Sequence, residues 1–340
     1  MPRPRALLLL FSAACAPPPG ESEVAEPGAP VTTRVAPPPG ACPLDRWEHV
    51  SGIIVGAAPA TIAVKTWHGN CGPGGVLISR DDGRTFSNAY GADDVLGVAD
   101  DGTAFLIDRP CGPVRLLHAD GSDETIEPPA PDECIWAVAA RGPWLAIATP
   151  GGVWRTRDRQ ELWQWRLADG ASLGVGAELE LDENGGVYVL YQPEVNEPRA
   201  HQVRAHGRPD GHELAVLPWH EEADPDQLWA QPSSDWYTYR DRAGALWAAN
   251  GPLALPLALP SDPDPDFLFG GTHVCAVAGD QLFALEHGMP VPLAAKVPAD
   301  LRAWTVDAAG RVLAAARHTA ARWSPETGWQ TLFACAPTDD

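Results

Sequence analysis

Lysine is almost missing from this sequence: Lys65 and Lys296 are the only two among 340 residues. With 45 acidic against 24 basic side chains the formal net charge is −21. A surface of that sign repels phosphate backbones and anionic lipid, which excludes nucleic-acid binding and leaves cations or basic partners. Beyond the first few residues no apolar run is long enough to cross a bilayer. Helical periodicity is nearly absent, and no dozen-residue crossover helix of the kind a parallel α/β sheet needs can be found. The cysteines include no Cys-x-x-Cys pair to hold a metal. A Gly-x-Ser-x-Gly nucleophile turn, a Gly-x-x-x-x-Gly-Lys phosphate loop and a His-Glu-x-x-His helix are missing too.

What is present begins with a leader. Met1 to Arg5 is basic, Ala6 to Phe11 is apolar, and Ser12-Ala13-Ala14 are small, so residues 1–14 read as a secretion signal. Its loss removes Arg3 and Arg5, leaving 22 basic against 45 acidic side chains, a net charge near −23. The Ser-Ala-Ala-Cys end resembles a bacterial lipobox, with Ser12 where that motif usually has Leu. The resemblance implies a lipidated Cys15, a membrane attachment through that lipid alone and, with Ala16 next, an outer-membrane lipoprotein. Ordinary cleavage at Ala14-Cys15-Ala16 would make the protein secreted instead. Residues 15–41 carry two Pro-Pro-Pro-Gly runs and few large apolar side chains, a composition that reads as an unfolded tether.

The rest, residues 42–336 before a short tail at 337–340, divides into seven units of four short strands. Turn residues recur at Asp82, Asp120, Asp158, Asp210, Asn250, His287 and Glu326, with gaps of 38, 38, 52, 40, 37 and 39. That period is the repeat length of a four-stranded propeller blade. Asp182-Glu-Asn-Gly185, Asp241-Arg-Ala-Gly244 and Asp307-Ala-Ala-Gly310 are recurring turns, each ahead of an apolar strand. The expected fold is all-β: one seven-bladed β-propeller of four-stranded antiparallel blades.

One hairpin points to a family. Ser79-x-Asp81-x-Gly83-x-Thr85-Phe86 resembles the Asp-box, or BNR, turn of sialidase-like β-propellers, with Phe86 where the family usually has Trp. In that family the motif is a structural turn remote from the ligand face. The family's glycosidases imply three converging arginines, a Tyr–Glu pair and an early Phe-Arg-Ile-Pro-like motif. This chain lacks the last, and its arginines fall in third strands and turns, among them Arg80, Arg84, Arg155 and Arg157. Asp241 to Asn250 also looks like a blade of the two-component-regulator propellers.

Six cysteines besides Cys15 suit an oxidising compartment. Cys42 precedes the first strand and Cys335 follows the last, so ring closure pairs them. Cys71 is expected to pair with Cys111, leaving Cys134 and Cys275 as buried thiols. The 14 tryptophans mostly fall inside strands, where large rings fill the wedge between blades.

Acidic residues crowd the segments between units, including Glu221 and Glu222. Asp224, Asp226, Asp262, Asp264 and Asp266 are candidate ligands for Ca²⁺, which takes six to eight oxygens, against the plainer reading of solvated loops. His201, His206, His212 and His220 match no ligand spacing and read as exposed hairpin residues. No other cofactor is implied. The expected protein is a monomeric, non-catalytic envelope propeller whose acidic loop face binds a protein, peptide or glycan. The alternative is a divergent sialidase-like glycoside hydrolase or lyase.

Overall fold

The computed structural model describes residues 42–335, apart from 45–47, 56–60, 69–71, 90–91, 93, 109–110, 129–132, 158–160, 168–171, 174–176, 193–201, 261–264, 271–272, 298–300 and 308. The leader, Cys15, the tether, Cys71 and the tail lie outside those residues. Among the described residues there are strands and no helix.

Alternating apolar and polar positions, broken every few residues by Gly, Pro or Asp, produce 28 short strands. The first set is β1 (Glu48–Val55), β2 (Ile62–His68), β3 (Gly72–Ser79) and β4 (Ser87–Asn88). The second is β5 (Asp94–Val98), β6 (Ala104–Ile107), β7 (Val114–Leu117) and β8 (Asp123–Ile126). Then come β9 (Ala137–Arg141), β10 (Trp144–Thr149), β11 (Gly152–Arg157) and β12 (Glu161–Leu167). The fourth set is β13 (Glu178–Leu181), β14 (Val187–Tyr191), β15 (Val203–Gly207) and β16 (Glu213–Leu217). The fifth has β17 (Ala223–Trp229), β18 (Tyr237–Asp241), β19 (Leu246–Asn250) and β20 (Leu253–Pro256). The sixth has β21 (Asp266–Gly270), β22 (His273–Ala278), β23 (Gln281–Glu286) and β24 (Met289–Lys296). The last is β25 (Leu301–Val306), β26 (Val312–Ala316), β27 (Thr319–Ser324) and β28 (Gly328–Ala334).

Within each set the strands pair antiparallel in chain order. Five sets are separate sheets, while the third and fourth share one eight-stranded sheet. The join is a parallel contact of two residue pairs, Arg166↔Glu213 and Leu167↔Leu214, between the outer strands β12 and β16. Seven separate sheets were expected; tight packing around the fully buried Trp165, which also lies against Gly207, brings these two outer strands within pairing distance.

Apolar side chains tie each set to the next. Val95 and Leu106 pack with Ala63 and Ile78, Phe105 and Leu116 with Leu145 and Ile147, and Trp165 with Leu179 and Val189. Further round, Phe267 and Ala276 meet Leu246 and Ala248, and Trp323 meets Leu282. Finally Leu332 and Phe333 of β28 pack on Ile62 and Phe86 of the first set. The first strands β1, β5, β9 and β13, with β21 and β25, touch one another along this order, so they line the middle and the fourth strands lie outside.

The Ser79–Phe86 hairpin shows how the turns are built. Asp81 accepts from the Thr85 amide (2.8 Å) and hydroxyl (2.7 Å), and the Gly83 amide donates to Ser79 Oγ (2.8 Å). Burial opposes the Asp81 charge, yet the bonds from Thr85 and Ser79 outweigh it and hold its carboxyl below the usual value. Gly83 has φ +80°, and a Cβ there would lie 2.6 Å from Leu332, so only glycine fits. Phe86 meets Phe333 edge-on at 5.2 Å. Asp182, Asp241 and Asp307 cap their turns alike, each accepting from the amides two and four residues on at 2.7 to 2.9 Å.

Cys42 and Cys335 form a disulfide across 293 residues. Cys111, expected to bond Cys71, instead bonds Cys134. Both belong to segments flanking β7 and β8, and the 23-residue spacing returns the chain to the same end of the second set. Cys275 is a buried thiol, raised to about 11 by burial.

Breaking the Cys42–Cys335 bond with Cys335→Ser frees the ends of a 293-residue loop. The chain-entropy loss is at most roughly 5–6 kcal/mol. Scanning calorimetry should show a markedly lower melting temperature, and a fall at least as large for the parent protein under reductant, which opens Cys111–Cys134 as well.

Candidate functional site

Each set runs down, up, down and up, so its first and third turns share one end, the turn end. The middle loop and the connection to the next set share the other, the link end. The acidic segments picked out in the sequence are mostly at the link end. Asp94 is bonded by the Lys65 ammonium, which spends one of the two lysines joining the first set to the second. Glu221, Glu222 and Asp266 are exposed. Asp224 and Asp226 fall where β17 bulges between Ala223 and Leu228. Asp262 and Asp264 lie outside the described residues. Among the described residues, no group of three or more His, Cys, Asp or Glu side chains converges on a metal-sized point.

Behind Glu221 and Glu222 lies an aromatic group that the sequence did not reveal. The His220 amide donates to Tyr237 Oη (2.6 Å), and His220 Nδ1 meets Tyr239 Oη at 3.2 Å. The Arg204 guanidinium lies over Trp219 (5.0 Å) and Tyr237 (5.6 Å) and donates to the Ser234 carbonyl at 2.5 Å. His206 stacks on Tyr188 at 4.3 Å, and burial, ahead of other effects, lowers its pKa. His206 and His220 are half-buried rather than exposed, which their aromatic neighbours explain, while His212 is exposed as expected. Burial, then the charge of Glu222, pushes Tyr239 up to about 12. A phenol held neutral in this way is the opposite of a nucleophile.

The third-strand arginines work at the walls between sets. Arg80 donates to the carbonyls of Gly102 (2.5 Å) and Leu117 (2.9 Å) in the second set. Arg155, only 2% exposed, repeats this in the next set but one: it donates to Gly185 O and, at 2.8 Å, to Pro209 O. Its guanidinium lies between Trp144 (4.4 Å) and Trp165 (4.5 Å). Arg322 donates to the Asp82 carbonyl and pairs with its carboxylate, closing the last set on the first. Four arginines thus occupy four different junctions instead of converging.

Two further acids, Glu178 and Glu180, stand on the inner strand β13. Glu180 accepts from Gln231 Nε2 and from the Ser233 amide (3.1 Å). Glu178 is open to solvent yet walled in by protein. That enclosure, then the Glu180 charge, pushes its carboxyl up to about 7.

Neither a protein-family model nor a curated protein sequence matches the chain. Its fold is similar to PorZ, a bacterial surface component of the type-IX secretion system of Porphyromonas gingivalis (TM-score 0.53, 11% identity). That match covers 88% of this chain and 40% of PorZ, so the chain spans two fifths of its length. It is also similar to YCF48 from Cyanidioschyzon merolae (TM-score 0.55, 14% identity, covering 84% of this chain and 98% of that one). A structure of YCF48 bound to D1 peptide matches with TM-score 0.53 and 12% identity, over 81% and 92% of the two chains. These likenesses define a β-propeller. At such identities they define the fold alone.

Two outcomes follow. Arg155→Ala leaves two turn carbonyls and two indole faces without their partner, and should lower stability by about 3 kcal/mol in urea titration. Glu178 has a folded pKa above its unfolded value of 4.5, so its contribution is greatest below about 4.5 and falls as pH rises through about 7. Glu178→Gln should therefore gain stability over the parent at pH above 7 and flatten that part of the melting profile.

Proposed function

We propose that the chain is a non-catalytic, seven-bladed β-propeller that binds a protein, peptide or glycan partner through its acidic link end. The carrying observation is the exposed Glu221, Glu222 and Asp266 at that end, where Asp94 and Asp280 are paired with Lys65 and Lys296. Such a surface favours a basic polypeptide and speeds its approach. The fold likeness to YCF48 bound to D1 peptide and to the surface component PorZ supports binding over catalysis. Seven blades are counted by treating β9–β12 and β13–β16 separately, which their two-pair join favours.

An envelope location, with the chain tethered through a lipid on Cys15, accords with two disulfides, which persist in oxidising compartments. The hydrolase reading needs three arginines at one ligand face, whereas Arg80, Arg155, Arg204 and Arg322 are bonded into separate junctions.

A peptide array of basic, neutral and acidic sequences tests this reading. Basic peptides should be retained, less so at higher salt, and a Glu221→Gln, Glu222→Gln, Asp266→Asn variant should lose most of that retention. Charge-independent retention, or turnover of fluorogenic glycosides, would favour the alternative.

A further inference from the structure

The arginine at one junction is replaced, and the space it leaves is open. In the first set the strand register pairs Ile62 with Ser79, so Arg80 follows opposite Thr61 and opens the turn Arg80-Asp81-Asp82-Gly83. In the second set the register pairs Ala104 with Leu117, so His118 follows opposite Thr103 and opens His118-Ala119-Asp120-Gly121. His118 therefore holds the Arg80 position. Its shorter ring stays within its own set, with Nδ1 3.1 Å from Thr103 Oγ1 and Nε2 3.6 Å from Glu124. Beyond it, a cavity of about 680 Å³ opens between the second and third sets at the turn end.

The wall chemistry is that of the filled junctions. Phe105, Leu116 and Leu145 supply apolar surface, the β9–β10 turn at Gly142 and Pro143 supplies backbone, and Trp144 borders it. The Trp144 indole itself belongs to the next junction, 4.4 and 5.3 Å from the Arg155 and Arg157 guanidiniums and against Gly185. Asp100 and Asp101 add carboxylates. The cavity's own cation, Arg141, is turned toward the fourth set, donating to Leu181 O and Glu183, and stands 4.0 Å from Asp100. A second cavity, of about 560 Å³ among the last three sets, is lined by no arginine.

We propose that the cavity between the second and third sets receives an arginine side chain from a protein partner, its guanidinium taking the place that Arg80 and Arg155 take at their junctions. The planar fork suits turn carbonyls and a carboxylate together, and the aliphatic stem suits the apolar walls. This site is at the opposite end from the acidic link face and stands independently of that reading.

The test titrates the full chain with the peptides Ac-Gly-Arg-Gly-NH₂ and its citrulline counterpart, followed by NMR. Citrulline keeps the shape and loses the charge. The arginine peptide should bind roughly tenfold more tightly, as charge-assisted bonds do, and should shift resonances of Trp144 and His118. His118→Arg, which fills the gap from within, should abolish binding while leaving the melting temperature equal or higher. Asp100→Asn, on an exposed turn, should weaken binding severalfold and serves if His118→Arg does not fold. Equal affinity for the two peptides overturns the proposal. So does binding undiminished in the folded His118→Arg variant or in Asp100→Asn, or no binding of the arginine peptide at millimolar concentration.

Discussion

A four-stranded sheet this short has two faces to cover and cannot stand alone, so everything in the molecule depends on each set burying both faces against its neighbours. The clusters that do this are apolar and shared: Phe105 of one set sits on Ile147 of the next, and Trp323 of the last meets Leu282 of the set before it. Covering both faces of every set leaves one solution, in which the last set returns to the first. Phe333 against Phe86, Arg322 against Asp82 and the Cys42–Cys335 bond all act at that seam.

Between neighbouring sets the gap widens outward, and long side chains fill it. Tryptophan contributes area, and arginine contributes reach with donors at the tip. A buried guanidinium is tolerated only where its donors are met, and turn carbonyls meet them here. This arrangement uses up the groups from which a glycosidase would be built. The arginines are bonded to backbone, Tyr237 and Tyr239 are sealed between sets, and Cys275 is an unreactive thiol. What stays exposed is carboxylate on the loops and an open space where an arginine is missing.

How much was legible follows the range of the forces involved. The turns at Asp182, Asp241 and Asp307 are closed by bonds spanning two to four residues, so residue type and spacing suffice to read them. Strands were legible because alternation is local, though the fourth strand of the first set is paired only over Ser87–Asn88. The partners of Tyr237 and Tyr239, the Cys111–Cys134 bond and the role of His206 were not legible. Each depends on which loop lies beside which. The His118 substitution left a faint mark, visible once His118-Ala-Asp-Gly121 is laid over Arg80-Asp-Asp-Gly83.

By itself the sequence determined an all-β chain of repeated hairpins, its acidity and the chemistry of its turns, since composition and near-neighbour spacing govern these. Only the tertiary structure decided that β12 and β16 join two sets into one sheet, that four arginines tie four junctions, and that a fifth junction is left open. Those outcomes are set by angles and distances between sets tens or hundreds of residues apart, and no local pattern records them.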